Sequence, residues 1–300
     1  MQTLRPADLD DALSVLADGV AVGRVPTPLA GATDLYPALA GLPRPHEAFL
    51  DLSGLAELRG VEQVEIGSRP FWRLGALTRW SELARGPLRR PDWAALCEAA
   101  GEIGARQIQN RGTIGGNLCH ASPAADGIVA LLALDAQVQL RRSGGVRRLP
   151  LDGFVLGPRQ TALGAGELLE SVLIPVAAGR RTSRFLKLGQ RRYLVISAVM
   201  VAGGITWNEL GRVASARIAV GACGPRAVCL PWLAQAACGR DQAGLAALAD
   251  QAWPGDALAP LTPIDDIRGS AGWRLESAQV LVRRLLHELA RDALPFEENA

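Results

Sequence analysis

Cysteine is scarce and poorly placed for a framework. The five residues Cys97, Cys119, Cys223, Cys229 and Cys238 are odd in number, scattered, and free of any CxxC pair. That argues against a disulfide scaffold or a zinc ribbon and predicts reduced thiols. Long apolar runs are absent as well: none reaches the roughly 18 uninterrupted residues of a membrane helix. The opening residues Met1 to Pro6 carry no apolar signal core, so a cytoplasmic location is expected. Charge is balanced, with a formal net of +2, which argues against nucleic acid as the main partner. Only three histidines occur, His46, His120 and His287, and none sits in a motif with an acid or a nucleophile. There is no Ser-His-Asp set, no HExxH and no P-loop lysine. The chain therefore offers little acid–base machinery of its own.

What is present is enough apolar material for two or three packed units: 300 residues, 49% hydrophobic. Leu9, Ala12, Leu13 and Leu16 recur at helical spacing. Residues 20–23, 28–30 and 50–52 read as short strands, giving a small α/β part that ends near Leu58. Residues 64–66 and 72–76 alternate as half-buried strands, and Thr78 is a candidate cap for the helix carrying Trp80 and Leu83. Trp93, Leu96, Cys97, Ala100 and Ile103 share a helical face. Residues 136–140 and 146–149 flank a Gly144-Gly145 hairpin turn. The segment 177–182 reads as a linker. Beyond it, 184–188, 195–205 and 214–220 read as three strands, and Ala278, Leu281, Val282, Leu285, Leu286 and Leu289 form one apolar helical stripe. Strands followed by helices predict an α+β unit with helices on one sheet face.

Two small-residue bends stand out. The first, Leu29-Ala30-Gly31-Ala32-Thr33-Asp34-Leu35, runs from a strand into a helix start. The second is Thr113-Ile114-Gly115-Gly116-Asn117, followed by Ala121-Ser122-Pro123-Ala124-Ala125-Asp126. Glycines permit positive φ and close approach to the main chain, and free N–H groups in such bends can point at an anion. Taken alone, the second bend is better read as a tight turn, and one such loop is weak evidence. Two in one chain suit a ligand with a diphosphate, with Asp126 as an acceptor for hydroxyls of a sugar or ribityl chain.

These segments resemble the two FAD-binding loops in the medium, flavoprotein subunit of molybdenum hydroxylases, the xanthine dehydrogenase and aerobic carbon monoxide dehydrogenase family. The likeness resumes at Leu168-Leu169, at Phe185-Leu186-Lys187 with Arg191-Arg192, and at Pro263-Ile264-Asp265-Asp266-Ile267-Arg268-Gly269-Ser270 with Trp273-Arg274. It spans nearly the whole chain in order. The resemblance implies a PCMH-type FAD-binding domain over 1–177, in parts 1–58 and 59–177. A C-terminal domain over 178–295 follows, with a three-stranded antiparallel sheet and helices. It implies FAD as cofactor, with Leu29, Ala30, Gly31, Ala32, Thr33, Asp34, Leu35, Thr113, Ile114, Gly115, Gly116, Asn117 and Asp126 holding it. Ile103 and Leu169 would pack against it, Lys187 would lie near the flavin, and Tyr193 would cover the ring. It also implies partners, a small subunit with two [2Fe-2S] clusters and a large molybdopterin subunit, in a dimer of heterotrimers. Electrons would pass from those clusters to this chain and on to a terminal acceptor. Cys119 falls where some relatives ligate an extra cluster, but the cysteine-bearing insertion is missing, so it reads as a packed residue. Ala32 departs from the family's double-glycine form; at positive φ its methyl costs on the order of 1 kcal/mol. A self-contained flavin reductase and a flavin-free subunit of the same complex are the alternatives.

Overall fold

The computed structural model describes residues 2–39, 48–192 and 194–293. The chain forms two units, each assembled from separate stretches. The first is Met1–Glu82, Gly104–Ser122 and Ala136–Val176; the second is Leu83–Ile103, Pro123–Asp135 and Ala177–Ala300.

In the first unit, Asp8 caps the helix Leu9–Ala21 by accepting the Asp11 N–H. Leu9, Ala12, Leu13 and Leu16 meet Leu50, Leu52, Leu55, Leu58, Leu77 and Leu168 in one core. Residues 20–23 are not the predicted strand. Val20 and Ala21 finish the helix, which stops only where Gly23 takes a φ of +70°. Three parallel strands follow the order Gln2–Leu4, Ala48–Asp51, Thr27–Leu29. The first bend leaves the carboxyl end of Thr27–Leu29, the end at which parallel sheets present ligand loops.

The same unit holds a five-stranded antiparallel sheet, ordered Val61–Ile66, Arg69–Gly75, Leu168–Pro175, Gln137–Arg142, Gly145–Pro150. Leu168–Pro175 is central and buried along nearly all its length. Its one charged residue, Glu170, is answered by Arg73 at 3.5 Å, Arg141 at 3.6 Å and the Gln139 amide at 3.1 Å. Thr78 is not the helix cap. It is buried, its hydroxyl donates to the Gly60 carbonyl, and the Arg79 N–H is taken by Glu82.

Near the end of this sheet Arg147 grips Glu167 through two hydrogen bonds of 2.7 Å, and the Gly164 N–H adds a third of 2.7 Å. The Arg147 hydrogen bond holds the Glu167 carboxyl below its ordinary range. A carboxyl whose folded pKa is depressed stabilises above its unfolded value, about 4.3, and loses that contribution as pH falls through the folded one. Glu167→Gln should therefore lower the thermal midpoint at pH 7 and leave it nearly equal to wild type near pH 2. Melting curves across that range check this.

The second unit is built on an antiparallel sheet of four strands, not three: Arg180–Leu188, Val199–Trp207, Val213–Gly221 and Val228–Cys229. The last has only two residues, too few to show a period. The predicted linker is shorter than expected, because Arg180 to Thr182 pair with Trp207 to Ile205. Helices cover both faces of this sheet, not one. A Cβ on Gly203 would run into Leu285 and Leu289 of the helix Ala271–Arg291. A Cβ on Gly204 would overlap the Ala133 carbonyl oxygen of the helix Asp126–Ala133. Successive strand residues point to opposite faces, so these two glycines bring one helix close on each side. Asp126–Ala133 is buried at all eight positions. Ser270 caps Ala271–Arg291 through the Trp273 N–H, and that helix buries the predicted stripe.

Candidate functional site

The first bend is held at both ends. Leu29 is buried, and its carbonyl accepts the Leu52 N–H at 2.9 Å. Leu35 opens the short helix Leu35–Leu39, where Tyr36 and Ala38 donate back to the carbonyls of Ala32 and Asp34. Between these ends, the N–H groups of Gly31, Ala32, Thr33 and Asp34 donate to no acceptor among the described residues. A run of main-chain donors without protein partners is a ready anion cradle. Ala32 does sit at positive φ, +58°. The methyl cost anticipated from the sequence applies here, and Ala32→Gly should raise stability by about 1 kcal/mol. Thermal unfolding measures this gain, and flavin content should stay at or above the wild-type level.

The second bend differs from expectation. Gly115 and Gly116 do not turn through positive φ; they lie in the first turn of a helix, Ile114–His120. Thr113 is its cap, its hydroxyl accepting the Gly116 N–H at 3.1 Å. The amides are spent inside the protein: Ile114 on the Thr78 carbonyl, Gly115 on that of Ala76, Asn117 on that of Thr113. The glycines are required by space. A Cβ on Gly115 would stand 2.7 Å from the Ala76 methyl and 2.8 Å from its carbonyl oxygen. So the free anion donors belong to the first bend, and the second supplies shape and side chains. One of those is Asn117, whose Oδ1 is buried without a hydrogen-bond partner, an arrangement proteins rarely tolerate unless something else fills the gap.

The two bends touch. A Cβ on Gly31 would overlap the Arg111 carbonyl oxygen and come within 3.0 Å of the Gly112 Cα. One on Gly112 would lie 3.5 Å from the Thr33 hydroxyl, and one on Gly116 4.0 Å from the Ala30 methyl. Leu169 is buried on the central strand of the same unit. His120 Nδ1 lies 3.0 Å from the Asp34 carboxylate.

The other site residues lie in the second unit. Asp126 is buried, and both its oxygens are engaged. Lys187 Nζ is 2.7 Å from one, and the Ser197 hydroxyl donates to the other at 2.6 Å. Burial pushes the Asp126 carboxyl above its ordinary range, against the pull of Lys187 and Ser197. Lys187 is no solvent-facing lysine: its side chain is 9% exposed, and it also reaches the Glu102 carbonyl at 3.3 Å. It lines a cavity of about 620 Å³ with Glu98, Glu102, Phe185, Leu188 and Arg191. Glu98 accepts the Phe185 N–H at 2.8 Å and Arg184 at 2.6 Å; burial raises its carboxyl. Ile103 is half-buried at the end of the helix Ala94–Glu102. Tyr193 and His46 lie outside the described residues. No two of the five cysteines are joined in a disulfide; Cys119 reaches the surface, although the protein around it pushes its thiol up to about 12. Neither the Ser197–Asp126 nor the Asp34–His120 contact was legible beforehand, because no local spacing links partners so far apart.

A parallel-strand bend whose amides are free among the described residues, braced by a glycine-bearing helix start, is a ready seat for an anion such as a diphosphate. Comparison with known proteins makes this specific. Residues 1–177 match the family model described as FAD binding domain in molybdopterin dehydrogenase, and 184–289 match the CO dehydrogenase flavoprotein C-terminal domain. The chain belongs to this FAD-binding family of the molybdopterin dehydrogenases. It is 30% identical over 298 residues to the 6-hydroxypseudooxynicotine dehydrogenase complex subunit alpha of Paenarthrobacter nicotinovorans, covering 97% of this chain and 95% of that one. It is 29% identical to the xanthine dehydrogenase FAD-binding subunit of Escherichia coli O157:H7, over 95% and 94% of the two chains. Among solved structures, quinoline 2-oxidoreductase from Pseudomonas putida 86 superposes with a TM-score of 0.83 at 28% identity, covering 98% of each chain. The carbon monoxide dehydrogenase of Hydrogenophaga pseudoflava gives the same score, identity and coverage.

Proposed function

We propose that this chain is the FAD-carrying electron-transfer subunit of a heteromeric molybdenum hydroxylase. The observation that carries this reading is the run of four amides, 31–34, without an acceptor among the described residues, with Gly31 lying against the Arg111–Gly112 backbone. The donor set fits FAD: main-chain N–H groups for a diphosphate, and the orphaned Asn117 side chain for a polar group of the same ligand. FAD, when bound, supplies storage for two electrons that can enter and leave singly. The chain's own part is to bind and to orient. Leu29 to Leu35 and Thr113 to Asn117 form the grip, and Leu169 and Ile103 offer apolar surface. Lys187, fixed by Asp126 and the Glu102 carbonyl, is a held cation that favours added negative charge beside it.

The domain organisation belongs to the proposal: an FAD-binding domain over 1–177, in parts 1–58 and 59–177, and a C-terminal domain over 178–295. So do a small subunit with two [2Fe-2S] clusters and a large molybdopterin subunit, assembled as a dimer of heterotrimers. The names of the relatives, complex subunit and FAD-binding subunit, support partners of this kind. No helix among the described residues is long and apolar enough to cross a membrane, and a cytoplasmic location completes the reading. The visible spectrum of the purified chain tests it. Flavin bands, present at once or on mixing with FAD, are expected; a protein that stays colourless with FAD contradicts it and favours a flavin-free subunit.

A further inference from the structure

Asp34 closes the first bend and carries a negative charge into the place where an anionic ligand has to sit. Its carboxylate is half exposed, yet it is held from two sides. His120 Nδ1 lies 3.0 Å away, and the Arg159 guanidinium 3.9 Å away, both at Oδ2. His120 is the last residue of the helix Ile114–His120, and Arg159 sits in the turn between Val155–Gly157 and Gln160–Thr161. The backbone that delivers them is unusual. Ala121 and Arg159 both occupy the left-handed region, at φ +48° and +57°, and the Arg159 N–H donates to the Ala121 carbonyl at 3.1 Å. Neither is glycine, so each pays a steric penalty for its conformation. Strain of this kind persists where surrounding structure enforces it, often beside a ligand. Here it joins two segments that converge on one carboxylate in the bend with the free amides.

We propose that His120 and Arg159 are positioning residues for FAD, acting through Asp34. Their first effect is geometric: a carboxylate tied to two separate segments fixes the end of the bend, so the amides of 31–34 keep their common direction. The second effect is electrostatic. A bare carboxylate next to a diphosphate repels it, whereas an imidazole N–H at 3.0 Å and a guanidinium at 3.9 Å offset part of that charge. The inference rests on reading the first bend as the diphosphate loop.

The test uses the purified complex, stripped of flavin and titrated with FAD, with thermal unfolding measured in parallel. His120→Ala should weaken FAD binding about tenfold, the scale of one charge-assisted hydrogen bond. His120→Asn, whose amide N–H can stand where the Nδ1 proton stands, should restore most of the loss. Arg159→Gly should move the two readouts in opposite directions: a higher unfolding midpoint, because the left-handed strain is relieved, and weaker FAD binding. A merely structural arginine would not produce that split. If wild type binds FAD, Gly31→Val does not, and both His120→Ala and Arg159→Gly bind like wild type, the positioning role is overturned while the loop reading stands. If wild type takes up no FAD at any concentration, the loop reading itself falls, and this inference with it.

Discussion

Gly31→Val should abolish flavin retention. The added Cβ would overlap the Arg111 carbonyl oxygen and lie 2.8 Å from its carbon. Both are main-chain atoms, so no side chain can swing aside. The first bend must lift away from the second, and the amides of 31–34 then lose their shared direction. Overpacking at a close backbone contact typically costs about 1–3 kcal/mol, a cost the fold can absorb while the site cannot. The flavin absorbance per chain of the purified complex should fall to background. Gly54→Ala is the control: a Cβ there meets nothing within 4 Å, and flavin content should not change.

Lys187→Met should have the largest effect on stability. It leaves Asp126 buried with Ser197 as its remaining partner. Breaking a buried ion pair from one side costs about 3–5 kcal/mol, which for a chain of this size lowers the melting point on the order of ten degrees. The loss should depend on pH. Burial already raises the Asp126 carboxyl, and removing the cation raises it further. A carboxyl with a raised folded pKa favours the folded state while protonated. The variant should therefore lose stability as pH rises from about 3.9, the ordinary aspartate value, through the raised one. Adding Asp126→Asn should recover much of the loss, since an amide needs no counter-charge. Thermal unfolding of the two single variants and the double variant measures this; strictly additive losses would mean the pair does not act as a unit.

The two bends were legible in the sequence because glycine, alanine and a hydroxyl beside a strand leave few other readings. Which bend keeps its amides free was not. That depends on Thr113 capping a helix that swallows Gly115 and Gly116, while Ala32 takes the left-handed turn instead. The core stripe of Ala271–Arg291 was legible from its period. The destination of Asp126–Ala133 was not, since a segment buried all round shows no face and so names no partner. The partner of Lys187 was not legible, because Asp126 lies 61 residues away in sequence. The fourth strand, Val228–Cys229, was below the length at which alternation can be seen.

The sharpest check strips the flavin from the purified complex and compares its affinity for FAD with that for riboflavin, which has the ring but no phosphate. If the amides of Gly31 to Asp34 carry the grip, FAD should bind at least about a hundredfold more tightly, the worth of two or so hydrogen bonds to a charged group. Equal affinity for the two would contradict the account, because the ring alone would then be what the protein holds.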